Sequence, residues 1–120
     1  MGFRDHVRLS VELEDDGASC IVVDAGDDHL NDHGTVHGGV LATMIDAAMG
    51  TAVASTGGRS PVTVSLTVTY LEPGRPGRLE ARARVRKRGK RLMVVEAEVL
   101  QDGDVVADAL ATFSVQPPEQ

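Results

Sequence analysis

Aromatic side chains are nearly absent from this chain. Phe3, Tyr70 and Phe113 are the only ones in 120 residues, and there is no tryptophan. A core must therefore be assembled from Val, Leu, Ala and Met. Net positive charge is also missing: the chain carries −6 at neutral pH, which argues against a nucleic-acid partner. With a single cysteine, Cys20, no internal disulfide can form, and the composition suits a reducing compartment. Cys20 lies in the apolar run 18-ASCIVV-23 and reads as a buried thiol rather than a nucleophile. No stretch approaches the roughly 18 apolar residues of a membrane span, and the N-terminal residues hold no signal-type apolar segment. Gly2 alone does not make a lipidation signal. These absences predict a soluble, cytoplasmic protein with no membrane partner. No repeat, low-complexity tract or linker divides the sequence. Residues 1–120 read as one domain, with 1–6 and 116–120 as frayed ends.

What the chain does have is alternation. In 62-VTVSLTVTY-70, Val62, Val64, Leu66, Val68 and Tyr70 alternate with hydroxyl residues, which predicts a long half-buried strand. The Pro- and Gly-dense 72-EPGRPG-77 predicts a turn. Next comes 78-RLEARARVRKR-88, whose Arg82, Arg84, Arg86 and Arg88 fall on one strand face by period two. Gly89 marks a turn into 91-RLMVVEAEVLQ-101, and 102-DG-103 a turn into 104-DVVADALATFSV-115. Near the N-terminus, 7-VRLSVELE-14 and 18-ASCIVVDA-25 read as a hairpin around 15-DDG-17.

One helix is expected, at about residues 38–54, where Leu41, Met44, Ile45, Ala48 and Ala52 recur at helical spacing. Its other faces are small or apolar, as in a buried helix. Two strands, a buried helix and four strands fit an antiparallel sheet curled around that helix. So much strand on so short a chain leaves edges uncovered, which predicts an oligomer.

Within that helix stands an acid, Asp46, among Met44, Ile45, Ala47, Ala48 and Met49. A carboxylate in an apolar setting is costly unless paired, and such placement marks functional acids, bases and nucleophiles, although structural pairing also occurs. Gly38 and Gly39 open the helix, where first-turn N–H groups lack partners and attract anions. They serve either an oxyanion site or simply a tight turn. Asp46 lies eight residues beyond Gly38, about 12 Å of axial rise. A second copy of the chain could supply the matching helix end. His29, His33 and His37 recur every four residues, but the segment is a poor helix with no HExxH pattern and no cysteine nearby, so no metal is expected. His6 and His29 read as solvated surface residues, and His33 as a loop residue satisfied by backbone.

Taken in order, Asn31-x-x-Gly34-x-x-His37-Gly38-Gly39, followed by Asp46 in a small-residue helix, resembles the PaaI-type (phenylacetic acid degradation) hotdog-fold acyl-CoA thioesterases. The segment 62-VTVSLTVTYLEP-73 is similar to that family's strand after the helix, and the resemblance covers roughly residues 18–115. It implies an α+β hotdog fold, a long antiparallel sheet of five or six strands wrapped around one central helix. It further implies hydrolysis of an acyl-CoA thioester, no cofactor beyond the coenzyme A of the substrate, and a homodimer or dimer-of-dimers homotetramer with sites between subunits. Carried over, Asp46 is the nucleophile or general base, and the Gly38 N–H polarises the thioester carbonyl, with Gly39 beside it. Asn31 positions the carbonyl or the water, His37 supports the leaving thiolate, and Thr63 orients water. The run 82-RARVRKRGKR-91 holds seven of the twelve basic residues, and Arg88, Lys90 and Arg91 at its turn are expected to meet CoA phosphates, with Arg59 as a further candidate. For Arg82 and Arg84, a charged face guarding against edge pairing is an equal reading. Met44 and Met49 are expected to line the acyl pocket. Two rival readings are a non-catalytic acyl-CoA-binding module and a hotdog hydratase or dehydratase.

Overall fold

The computed structural model describes residues 7–57 and 60–116; the expectations for His6, Arg59 and residues 1–6 and 117–120 lie outside them. The elements run β1 (Ser10–Asp15), β2 (Ala18–Ala25), α1 (Gly38–Ala54), β3 (Ser60–Tyr70), β4 (Gly77–Arg88), β5 (Leu92–Gln101) and β6 (Asp104–Gln116). They form one six-stranded antiparallel sheet in the order β1-β2-β4-β5-β6-β3. This is the hotdog arrangement, with α1 packed across the inner face of the sheet. No helix among the described residues is long and apolar enough to cross a membrane.

The helix and the sheet bury each other through period. Leu41, Met44, Ile45, Ala48, Met49 and Ala52 form one stripe of α1 and are sealed against Ile21, Val23, Leu79, Ala81, Val95 and Val99. Alternate residues of β2, β4 and β5 supply that inner layer. Among the described residues Phe113 is the one aromatic ring of the hydrophobic core, and aliphatic side chains fill the rest. Gly89 is required at its turn, since a Cβ there would stand 2.3 Å from the Leu92 carbonyl oxygen. Cys20 is buried, and burial together with Glu80 and Glu12 pushes its thiol up from the ordinary cysteine range.

Simple alternation fails where the strands bulge. β3 is an edge strand, and its register slips between Thr63 and Ser65. Before the slip Pro61 and Thr63 pair with the buried Val115 and Phe113; after it Leu66 and Tyr70 pair with the buried Ala111 and Ala107. Val62, Val64, Leu66, Val68 and Tyr70 are therefore not one buried face: Val62 and Val64 are 53% and 60% exposed. A second slip, between Val85 and Lys87, splits the expected arginine face of β4. Arg82 and Arg84 stand opposite Glu98 and Glu96, whereas Arg88 stands opposite the buried Met93, on the inner side.

α1 itself is open along one side rather than buried all round. Ala42, Thr43, Asp46, Ala47, Gly50 and Ala54 are partly exposed between the edge strands β1 and β3. Met44 and Met49 face the other way, fully inside the core, so they cannot line an open pocket.

Candidate active site

The open side of α1 forms the floor of a groove of about 760 Å³, walled by Leu9 and Val11 on one side and Pro61 and Leu66 on the other. Asp46 stands in it, half-exposed and not buried among its apolar sequence neighbours. Its carboxylate has one partner among the described residues: the Thr63 hydroxyl donates to Oδ1 at 2.7 Å. The β3 bulge makes this bond possible by turning Thr63 towards the helix. With Oδ1 fixed, Oδ2 has no hydrogen-bond partner among the described residues, and the side chain lines the groove.

At the start of the helix, His37 is the N-cap, with φ −58° and ψ 133°. Its Nδ1 accepts the Gly39 N–H at 2.9 Å, which in a neutral ring leaves the proton on Nε2. The His37 carbonyl accepts the Val40 N–H at 2.9 Å. Gly39 therefore has its N–H taken, whereas the Gly38 N–H has no acceptor among the described residues. Tyr70 covers Gly38: its hydroxyl donates to the Gly38 carbonyl at 3.1 Å, and a Cβ on Gly38 would lie 3.4 Å from the ring. Sequence reasoning passed over Tyr70 as a site residue, although a lone tyrosine in so ring-poor a chain was a usable signal.

Asn31 is occupied in shaping the loop before the helix. Its Oδ1 accepts from the His33 N–H at 2.9 Å and the Thr35 N–H at 3.2 Å, and its Nδ2 donates to Thr35 Oγ1 at 2.9 Å. The loop is tied in turn to the following hairpin by the Val36 N–H, which donates to the Gly74 carbonyl at 2.8 Å.

The histidines part company. His29 is only 4% exposed, against the expectation of a solvated side chain. Its Nδ1 accepts the Gly26 N–H at 2.9 Å, and Nε2 lies 2.9 Å from the Val7 carbonyl, so the ring pins the segment before β1. Both of its nitrogens are spoken for. His33 is exposed. Among the described residues no three His, Cys, Asp or Glu side chains gather as a metal site would need. Beside His29, the Arg8 guanidinium holds the exposed Asp28 carboxyl at about 2, well below the usual carboxylate range.

The basic residues are also placed. Arg88 is spent on the β1–β2 turn, donating to Asp16 Oδ1 at 2.9 Å and to the Asp16 carbonyl at 2.7 Å. That turn abuts the far end of α1, where the Gly17 N–H donates to Ser55 Oγ. Lys90 and Arg91 are exposed beside it. Arg82 pairs with Glu80 at 2.9 Å and Arg86 with Glu96 at 3.2 Å, so much of the basic run is neutralised within the sheet. A second concavity, of about 580 Å³, lies among these paired charges and does not include Asp46.

A helix-wrapped antiparallel sheet is the hotdog fold, and here it presents a groove-lining carboxylate and, among the described residues, a helix-start N–H without an acceptor. Residues 33–107 match the thioesterase superfamily model, and the chain belongs to that superfamily, in its PaaI-type branch. The E. coli PaaI protein of the phenylacetic acid degradation operon superposes with a TM-score of 0.90 at 28% identity, covering 95% of this chain and 83% of that one. A Halobacterium salinarum protein provisionally named an esterase is 36% identical over 118 residues, which is 92% of this chain and 77% of that protein. Mouse acyl-coenzyme A thioesterase 13 is 33% identical over 73 residues, 59% of this chain but only 52% of the mouse protein. The chain thus spans about half the length of that mammalian relative.

Proposed function

We propose that this protein hydrolyses an acyl-CoA thioester to the free acid and coenzyme A, at a site shared by two copies of the chain. The observation that carries the reading is Asp46 in the groove, fixed through Oδ1 by Thr63 and open at Oδ2. Asp46 either attacks the thioester carbon itself or takes a proton from the attacking water; both roles use the open oxygen. The oxyanion that forms needs a donor, and the unpaired Gly38 N–H at the positive end of α1 suits it. Those two groups are about 12 Å apart along one helix, too far to act on one carbonyl. Two copies of the chain related by a two-fold axis solve this, each supplying Asp46 to one site and Gly38 to the other.

The remaining roles follow from hydrogen bonding and position. His37 donates Nε2–H towards the departing sulfur, since its Nδ1 is committed to Gly39. Asn31 keeps one amide hydrogen beyond its bond to Thr35 and is proposed to position the carbonyl or the attacking water. Lys90 and Arg91, both exposed at the β4–β5 turn, are proposed to meet CoA phosphates. The proposed reaction uses no metal or organic cofactor: carboxylate, backbone donor and water suffice. The similarity to mouse acyl-coenzyme A thioesterase 13 supports acyl-CoA as the substrate class.

The acyl group is proposed to lie along the small side chains beyond Asp46, over Gly50. A helix-interior glycine costs about 1 kcal/mol relative to alanine. Nothing among the described residues requires one there: an added Cβ would make only ordinary 3.9 Å contacts with Phe113 and Pro61. The room above Gly50 therefore serves an occupant. The test is thiol release over a panel of acyl-CoAs of increasing acyl size, for wild type and Gly50→Leu. Wild type releases thiol from at least one member, and Gly50→Leu loses about tenfold or more in kcat/KM on the larger members while sparing the smallest. Folded wild-type protein that binds acyl-CoA and releases no thiol from any member would be a binding module, and this reading would fall.

A further inference from the structure

We propose that Tyr70 is a positioning residue for the Gly38 amide, clamping the first turn of α1 so that its one unpaired N–H keeps a fixed direction. The inference rests on the reading of Gly38 as oxyanion donor and adds a residue to it. Two consecutive glycines are the least constrained start a helix can have, because neither carries a Cβ to restrict its dihedrals. A donor on such a turn loses the advantage of preorganisation unless other groups hold the backbone. Three side chains do so here. His37 Nδ1 accepts the Gly39 N–H at 2.9 Å, Thr43 Oγ1 donates to the Gly39 carbonyl at 2.7 Å, and Tyr70 donates to the Gly38 carbonyl at 3.1 Å.

Of the three, only Tyr70 comes from outside the helix and its cap, so only it fixes the turn relative to the sheet. Its ring also lies on the side from which a Cβ would project, 3.4 Å from where that atom would stand. Tyr70 is 53% exposed, so burial of the ring does not account for its place. The β3 bulge supplies the reason it can reach. Thr63 and Tyr70 are seven residues apart, an odd separation that in a regular strand puts them on opposite faces. The slip between Thr63 and Ser65 restores them to the same face, one meeting Asp46 and the other Gly38. One edge strand thus sets the direction of both halves of the site.

Tyr70→Phe removes the hydroxyl and keeps the ring. In steady-state thiol release it is expected to lower kcat about tenfold, close to 1.4 kcal/mol, with KM changed less than about twofold and the melting temperature unchanged. Amide exchange by NMR gives a readout that needs no activity: the Gly38 N–H resonance shifts and Gly39 exchanges faster than in wild type. Tyr70→Leu, which removes the ring as well, moves both readouts further in the same direction. Unchanged exchange at Gly39 in both variants overturns the clamp. Faster exchange with unaltered kcat overturns its role in the reaction. Wild-type protein inactive on every acyl-CoA would instead remove the thioesterase reading, while the exchange data still decide whether Tyr70 holds the turn.

Discussion

Asp46→Asn is expected to lower kcat for thiol release by about a thousandfold, roughly 4 kcal/mol of transition-state stabilisation, with the fold intact. The substitution is nearly isosteric. The asparagine carbonyl oxygen can still accept the Thr63 hydroxyl that now lies 2.7 Å from Oδ1, so the local hydrogen bond survives. What disappears is the basic or nucleophilic oxygen facing the groove. Because Asp46 is half-exposed and makes no ion pair among the described residues, its loss leaves no buried charge stranded. The melting temperature should therefore stay within a few degrees of wild type, and KM should change little. Steady-state kinetics beside a thermal melt checks both. A variant retaining more than about a tenth of wild-type kcat would remove Asp46 from the chemistry, since general-base or nucleophilic loss costs far more.

The second large effect is expected at Gly38, through a substitution that deletes one hydrogen-bond donor and little else. Gly38→Pro removes the N–H at the first helical position, where that group has no partner among the described residues. Proline favours this position, because its fixed φ suits a helix start. The preceding His37, at φ −58° and ψ 133°, already has the extended conformation that a residue before proline prefers. The cap bond from the Gly39 N–H to His37 Nδ1 is untouched. A Cβ added here would meet the Tyr70 ring at 3.4 Å, an ordinary contact. With the backbone preserved, kcat should fall about a hundredfold or more, the size typical of losing one oxyanion donor. Gly38→Ala, which keeps the N–H, should retain most of the activity. Equal rates for the alanine and proline variants would show that the N–H takes no part.

The fold was legible in the sequence because it rests on period. Three-to-four spacing of Leu41, Met44, Ile45, Ala48 and Ala52 marks α1, and its bounds, Gly38 to Ala54, agree with the glycine pair at its start. Short turns rich in Gly and Pro mark the antiparallel order. Two readings failed for one physical reason: period two assumes an unbroken ladder. The slips in β3 and β4 exchange faces within a strand, exposing Val62 and Val64, turning Thr63 inward and taking Arg88 away from the other arginines. No local signal in 62-VTVSLTVTY-70 marks the slip, because valine and threonine suit either face.

At the site, the carboxylate and the helix-start glycines could be named from residue type and order, and Thr63 only through the family resemblance. Their partners could not. That Asn31 spends its side chain on Thr35, that His29 is sealed under Val7, and that Met44 and Met49 point into the core all depend on loop path and helix rotation. The helix carries small residues on one side and bulky ones on the other. Sequence alone showed that contrast but not which side faces the sheet.

The central claim is that Asp46 of one copy and Gly38 of another act on the same thioester. Mixing Asp46→Asn with Gly38→Pro chains under conditions that exchange subunits tests it most directly. Neither variant alone has appreciable activity, but a mixed dimer contains one site with both groups intact and one with neither. Random reassortment should therefore restore about a quarter of wild-type thiol release, the fraction set by two-fold symmetry. Mixed dimers demonstrated by mass, with activity no higher than that of the two variants kept apart, would contradict a shared site.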